Sequence, residues 1–274
     1  MKNMSPNDQL RFEFGENWGR FIENLTEDQI VEAEKSMKTM LKMESFEGKK
    51  FLDIGNGSGL FSLAAMRMGA SEVYSFDYDI HSVNCALELK RRYFSETLHW
   101  RIDQGSALDQ DYLRSLGNFD IVYSWGVLHH TGNMWQALQN ATLPLKKGGF
   151  LFISIYNDQG QMSKFWTTIK RTYNVLPRQL KFLVLFPFFF LVYGMKMAGD
   201  IFRGRPMSFW KNYGKSRGMS AWRDLIDWVG GYPFEVAKPD DIVDFYLSRS
   251  FELRRLKTVG CGHGCNEYVF QQDE

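Results

Sequence analysis

The residues best suited to chemistry sit in three short groups. The first is Phe51-Leu-Asp-Ile-Gly-Asn-Gly-Ser-Gly59, where Asp53 precedes Gly55, Gly57 and Gly59. An apolar run followed by alternating glycines reads as a buried strand turning sharply into a helix, with a backbone that a ligand can approach closely. The second is Asp77, 18 residues beyond Gly59 and at the end of the next apolar run. A carboxylate there can accept both ribose hydroxyls of an adenosine. The third is His129-His130, which follows the apolar segment Phe119–Ser124. Histidine titrates near neutral pH, so it can take a proton from an acceptor, or it can simply cap a loop. The glycine spacing excludes a dinucleotide fingerprint, because Leu60 stands where G-x-G-x-x-G needs its third glycine. The alternative for the glycine group is a structural turn without a ligand.

This form, Gly55-x-Gly57-x-Gly59 with an acid inside the strand, resembles the first motif of class I S-adenosylmethionine-dependent methyltransferases. The likeness continues in Gly105-Ser-Ala-Leu-Asp109, in Phe119-Asp-Ile-Val-Tyr-Ser-Trp-Gly-Val-Leu-His-His130, and in Leu145-Lys-Lys-Gly-Gly-Phe-Leu151. Two positions depart from the pattern. Ser106 stands where many relatives carry Asp, and Asn56 where they often have a small residue or Cys. The resemblance implies S-adenosylmethionine as cofactor, held by Asp53, Gly55, Asn56, Gly57, Gly59, Asp77 and Tyr78, with Ser106, Ala107 and Trp125 also on the cofactor side. It implies an acceptor beside Leu128-His-His130, as in small-molecule members of the family, with His130 preferred over His129 as the base. Tyr156, Asn157, Arg217, Trp222 and Tyr232 are grouped with the acceptor. No Asp/Asn-Pro-Pro-Tyr follows the fourth strand, which argues against the enzymes that methylate DNA bases or protein glutamine.

The elements that must position these groups alternate. Strands are expected at Phe51–Gly55, Glu72–Asp77, Leu98–Ile102, Phe119–Ser124 and Gly149–Ile155, with helices at Leu60–Met68, Ser82–Phe94 and Met134–Leu143. A helix near Asp240–Ser248 and strands at Phe251–Lys257 and Glu267–Phe270 close the pattern. The expectation is a doubly wound, seven-stranded, mostly parallel α/β sheet of the Rossmann-like methyltransferase fold with a helical insertion. Residues 1–48 form an N-terminal helical cap, in which Thr26 and Gln29 make a capping box and Ile30, Ala33, Met37, Met40 and Leu41 line one face. Residues 49–157 and 236–274 form the core, and 158–235 the insertion.

The insertion has a composition of its own. Residues 158–218 hold eleven Lys and Arg against two Asp, in a chain whose net charge is only +1. Within it, Phe182–Met195 is uncharged and mostly apolar, interrupted by Pro187 and bounded by Lys181 and Lys196. That run is shorter than the roughly 18–20 residues that span a bilayer. Three roles stay open for 182–195: a lid, a homodimer contact, or peripheral contact with a membrane. The segment from Trp222 to Phe234 is rich in aromatics and could wall the acceptor pocket or pack as core.

Hydrophobic residues at 44% and charged residues at 24% describe a globular chain. The near-neutral charge carries no field toward nucleic acid, and no nucleic-acid-binding module is recognisable. Three cysteines and an N-terminus without an apolar signal region fit a reducing, cytoplasmic setting, at the inner face of the membrane if 182–195 makes that contact. Cys261-Gly-His-Gly-Cys265 offers three metal ligands on one turn, whereas structural zinc needs four, so it reads as a hairpin without metal. The functional expectation is methyl transfer to a hydroxyl of a small molecule or glycan, phosphorylated and lipid-linked acceptors included. The alternatives are N-methylation of a small amine and a non-catalytic cofactor-binding interaction protein.

Overall fold

The computed structural model describes residues 12, 14–202, 204, 221–260, 262 and 264–273. The chain begins with α1 (Gly15–Glu23) and α2 (Glu27–Leu41), then alternates: β1 (Lys50–Ile54), α3 (Leu60–Arg67), β2 (Glu72–Asp77), α4 (Ile80–Tyr93), β3 (Trp100–Gln104), α5 (Gln110–Ser115), β4 (Phe119–Trp125), α6 (Met134–Asn140) and β5 (Leu145–Tyr156). Helices α7 (Gln161–Val175), α8 (Phe182–Phe202) and α9 (Ala221–Gly230) follow, then α10 (Pro239–Leu247), β6 (Phe251–Lys257) and β7 (Cys265–Gln272).

The strands form one seven-stranded sheet in the order β3-β2-β1-β4-β5-β7-β6. All pairings are parallel except those of β7, which runs antiparallel to both β5 and β6. This is the expected doubly wound arrangement. Chain order reverses between β1 and β4, so their carboxyl ends flank the crevice where open α/β sheets take ligands.

Strand residues alternate between two faces. Phe51 joins Ile30, Met37, Leu63 and Trp100 on one side. Leu52 and Ile54 join Val122, Leu138 and Tyr246 on the other. With both faces covered, β1 is buried along nearly its whole length, which explains its unbroken apolar reading. A third cluster is built by the insertion itself. Trp166 and Tyr173 of α7, Leu185 and Phe188 of α8, and Leu225 and Val229 of α9 pack together, with Tyr156 at the end of β5 against them.

The capping box at Thr26 is present, and Ile30, Ala33, Met37, Met40 and Leu41 are all buried. Several bounds differ from the expectation. β3 begins at Trp100 rather than Leu98, and Leu98 is 87% exposed. β5 begins at Leu145, because Leu145 already pairs with Phe119 before the ladder shifts register. The short α5, capped by the Asp109 side chain on the Tyr112 N–H, was not anticipated. The apolar run at 182–195 is part of a longer helix that continues through Pro187 to Phe202. No helix among the described residues is long and apolar enough to cross a membrane.

Candidate active site

The loop after β1 is held by backbone donors. The Gly55 and Asn56 N–H groups both donate to the Phe76 carbonyl, at 2.8 and 3.1 Å. Gly55 and Gly59 have φ of +76° and +81°, a region that disfavours residues with a Cβ. Space is also closed: a Cβ on Gly55 would lie 2.3 Å from Val127 Cγ1, and one on Gly59 2.8 Å from Ala86 Cα. The acid of the motif lies beneath this loop. Asp53 is buried, accepts the Ser62 hydroxyl at 2.6 Å, and is pushed up to about 7 chiefly by burial. Asn56 is buried too, and its side-chain amide reaches the Ser82 carbonyl at 3.4 Å.

Asp77 joins the loop to the end of β2. Its Oδ2 accepts the Gly57 N–H at 2.9 Å and its Oδ1 the Asp79 N–H at 2.9 Å. The Asp77 carbonyl accepts the Gly105 N–H at 3.0 Å, which ties in the loop after β3. In that loop the Ser106 hydroxyl accepts the Leu108 N–H at 3.2 Å, and the Ala107 carbonyl accepts from Asn140 at 2.9 Å. Tyr78 and Trp125 stand exposed at the ends of β2 and β4. Ten of the expected cofactor positions thus fall on the carboxyl ends of β1 to β4 and their loops. A glycine loop joined to a half-buried carboxylate, with exposed aromatic rings at the neighbouring strand ends, suits an adenosyl group. Asp53 and Asn56 instead shape the loop from below.

The two histidines occupy the short 3₁₀ turn Leu128–His130 after β4, and their environments differ. His129 is fully buried, and neither ring nitrogen makes a hydrogen bond of ordinary geometry. Burial first, then His130 and Lys170, push it well below the usual histidine range, against a weaker opposing pull from the Ser154 backbone. Its ring lies 4.2 Å from that of Tyr156. His130 is half-buried, and its Nδ1 lies 2.5 Å from the Pro233 carbonyl. A carbonyl only accepts, so Nδ1 carries the proton and, in the neutral ring, Nε2 carries the lone pair.

Residues 233–235 clamp this turn. The Glu235 N–H donates to the His129 carbonyl at 3.0 Å, and the Glu235 carboxylate accepts the Met134 N–H at the start of α6. Sequence reasoning did not identify Pro233 or Glu235. The contacts that the N-terminal residues make with this site have no local signature in the sequence either. The Phe12 N–H donates to the Tyr232 carbonyl at 2.9 Å, and Phe14 lies 5.2 Å from the His130 ring. Asn17 bonds Asp227 of α9, and Trp18 lies beside Gly57. Asp79 fastens this cover, because its carboxylate accepts both the His81 N–H of α4 and the Gly15 N–H of α1.

The expected acceptor residues do not all come together. Tyr156 meets both histidines and Phe234, with ring centroids 4.2, 5.5 and 5.0 Å away. Tyr232 borders Pro233, with its carbonyl held by Phe12. Asn157 serves the turn between β6 and β7: its amide donates to the Gly260 carbonyl at 2.9 Å and its oxygen accepts from Asn266. Trp222 packs on Phe189 of α8, 5.6 Å between ring centroids, in the insertion's own cluster. Arg217 lies outside the described residues, as do Cys261 and His263 of the cysteine-containing turn.

Lys170 is the least expected member. It is fully buried, with its amine bonded to the Trp228 carbonyl and placed 4.8 and 4.7 Å from the Trp228 and Phe234 rings. Burial pushes it down to about 7, while Asp227 pulls the other way. Composition alone counts Lys170 with the surface cations of the insertion.

A family model described as a methyltransferase domain matches residues 45–193. The chain is 38% identical over 82 residues to a ribosomal protein L11 methyltransferase of Prochlorococcus marinus (strain MIT 9515), covering 30% of this chain and 27% of that protein. It is 31% identical over 121 residues to a ubiquinone biosynthesis O-methyltransferase of Glaesserella parasuis serovar 5 (strain SH0165), covering 42% of this chain and 49% of that protein. The chain therefore matches between about a quarter and a half of the length of these curated relatives. Among solved structures it is similar to magnesium protoporphyrin IX methyltransferase from Synechocystis PCC 6803 with bound SAH. The two share 13% identity and a TM-score of 0.56, over 97% of this chain and 98% of that one. At that identity the likeness is one of fold.

Proposed function

The chain belongs to the methyltransferase-domain family, and on that premise we propose that it transfers the methyl group of S-adenosylmethionine to a hydroxyl of a small molecule or glycan. The observation that supports a hydroxyl acceptor is the His130–Pro233 contact, which fixes one tautomer of a half-buried histidine at the end of β4.

The residues divide the work. The Gly57 loop and Asp77 would hold the cofactor at the ends of β1 and β2, Asp77 serving the ribose, with Ser106 and Ala107 serving the adenine edge. Tyr78 and Trp125 border it. The cofactor supplies a methyl carbon already activated by positive sulfur. An alcohol is a poor nucleophile until its proton is taken; His130 Nε2 would take that proton as the methyl passes from sulfur to the acceptor oxygen, the electron pair of the broken sulfur–carbon bond staying on sulfur to leave S-adenosylhomocysteine. His129 stays neutral and packs between His130 and Tyr156, so it positions the turn and does not exchange protons with the acceptor. Phe14, Tyr156 and Phe234 keep water from the reacting oxygen, which favours alignment of nucleophile and methyl.

The test is transfer of isotopically labelled methyl from S-adenosylmethionine into extracts of small molecules and glycans, followed by mass spectrometry of the labelled product. Label on oxygen supports the proposal. Label confined to nitrogen replaces it with N-methylation. Bound cofactor without label in any fraction favours a non-catalytic protein.

A further inference from the structure

Helix α8 presents two unlike sides. Leu185, Phe188 and Tyr193 face inward and are buried with Trp166 and Tyr173. Phe182, Leu183, Phe186, Phe190 and Leu191 face outward, each between 50% and 68% exposed. Isolated exposed apolar residues are ordinary, but five large ones along three turns of one helix form a continuous patch, and such patches mark contact sites. The exposed half of this stretch carries no charge at all between Phe182 and Leu191.

Exposed cations lie on the preceding helix, α7, and on the turn into α8: Lys164, Arg171 and Arg178. Lys181 stands at the start of α8 with its ammonium 4.7 Å from the Tyr173 ring. The sequence of 158–218 holds only two acids against eleven cations. We propose that the apolar face of α8, with the cations of this basic segment, docks the protein on an anionic lipid bilayer surface.

Charge and length select this occupant. A helix with aromatic and aliphatic side chains outward and cations beside them lies in the plane of an interface, with its apolar side in the acyl boundary. Lys and Arg next to it gain from anionic headgroups. A second copy fits less well: a two-fold contact uses the same patch on both subunits, which brings two copies of one basic segment together. Among the described residues no helix is long and apolar enough to cross a bilayer. This inference stands apart from the choice of acceptor, since no residue of the patch belongs to the proposed site. It does place α7, which carries Lys170 and Trp166, between the bilayer and Tyr156.

The experiment is cosedimentation of the intact protein with two kinds of vesicle, phosphatidylcholine alone and phosphatidylcholine with phosphatidylglycerol. The expected result is binding to the anionic vesicles that weakens as salt is raised. Phe186→Glu with Phe190→Glu should weaken that binding roughly tenfold or more, with cofactor affinity unchanged. Arg178→Glu, on an exposed side chain, should weaken it about fivefold without affecting folding. Absence of binding to anionic vesicles at low salt would overturn the proposal. So would a dimer in sedimentation equilibrium that Phe186→Glu with Phe190→Glu disrupts while vesicle binding is unaltered.

Discussion

The Asp77 carboxylate accepts the backbone N–H of Gly57 at 2.9 Å, so the acid after β2 and the glycine loop after β1 form one unit. Its second oxygen fixes Asp79, the residue that caps α4 and holds α1. Asp77→Ala should weaken S-adenosylhomocysteine binding by about 1.5–3 kcal/mol, the range for hydrogen bonds to a charged group. Asp77→Asn should lose less, because its amide oxygen can still accept from one backbone donor. Titration calorimetry on folded variants decides this. Unchanged affinity in Asp77→Ala would place the ribose elsewhere.

Gly59 and Gly117 separate backbone strain from crowding. Both have positive φ, +81° and +87°, but a Cβ at Gly117 meets nothing within 4 Å, whereas one at Gly59 meets Ala86 Cα at 2.8 Å. Gly117→Ala should cost about 1–2 kcal/mol of stability from the left-handed backbone alone. Gly59→Ala should cost that and a further ~1–3 kcal/mol, because α4 must shift to admit the methyl. Denaturant unfolding of the two variants measures the difference. Equal losses would show that α4 yields freely.

Two buried groups give stability opposite pH slopes. Asp53 titrates higher in the folded chain, about 7 against an ordinary 3.8, so between those values the folded state binds more protons than the unfolded one. Its burial penalty is absent below the lower value, grows as pH rises, and is complete above the upper. Asp53→Asn should therefore gain stability relative to wild type from about pH 4 to 7, by at most about 4 kcal/mol at 1.36 kcal/mol per unit.

Lys170 behaves in the converse way. It titrates at about 7 against an ordinary 10.5, so its penalty is full below 7 and fades as pH rises toward 10.5. Lys170→Met leaves the Trp228 carbonyl without its donor, yet its stability relative to wild type should be greatest at and below pH 7 and should decline above it. Unfolding at a series of pH values tests both signs, and a flat difference for either variant would remove that group from the account.

Much of this was legible before the structure. A central parallel strand is buried on both faces, so Phe51–Ile54 reads as an unbroken apolar run, and the glycine loop and Asp77 mark the strand ends that hold the site. Local signals such as the Thr26 capping box also carried through. What failed depends on contacts distant in sequence. Lys170 belongs to a basic segment by composition, and only the packing of Trp228 and Phe234 makes it a buried amine. Asn157 follows β5 as an acceptor residue would, yet the β6–β7 turn engages its side chain. Trp222 and Tyr232 share one aromatic segment, but helical geometry sends Trp222 to α8 and leaves Tyr232 near His130. Pro187 suggested a broken apolar run, although the loss of one N–H does not end a helix whose opposite side is well packed. The link from Phe12 to Tyr232 spans most of the chain and has no local signature.

His130 carries the most specific claim, and its rate is the most direct measurement. Using any hydroxyl acceptor that turns over, kcat and cofactor Kd are compared for wild type, His130→Ala and His129→Ala across pH. His130→Ala should lower kcat by about 10²–10⁴-fold, abolish the acidic limb of the pH–rate profile, and leave cofactor affinity nearly unchanged. His129→Ala should lose stability, since a buried ring is removed, while retaining that limb. Full kcat in folded His130→Ala would contradict the account, because the proton would then leave the acceptor without this histidine.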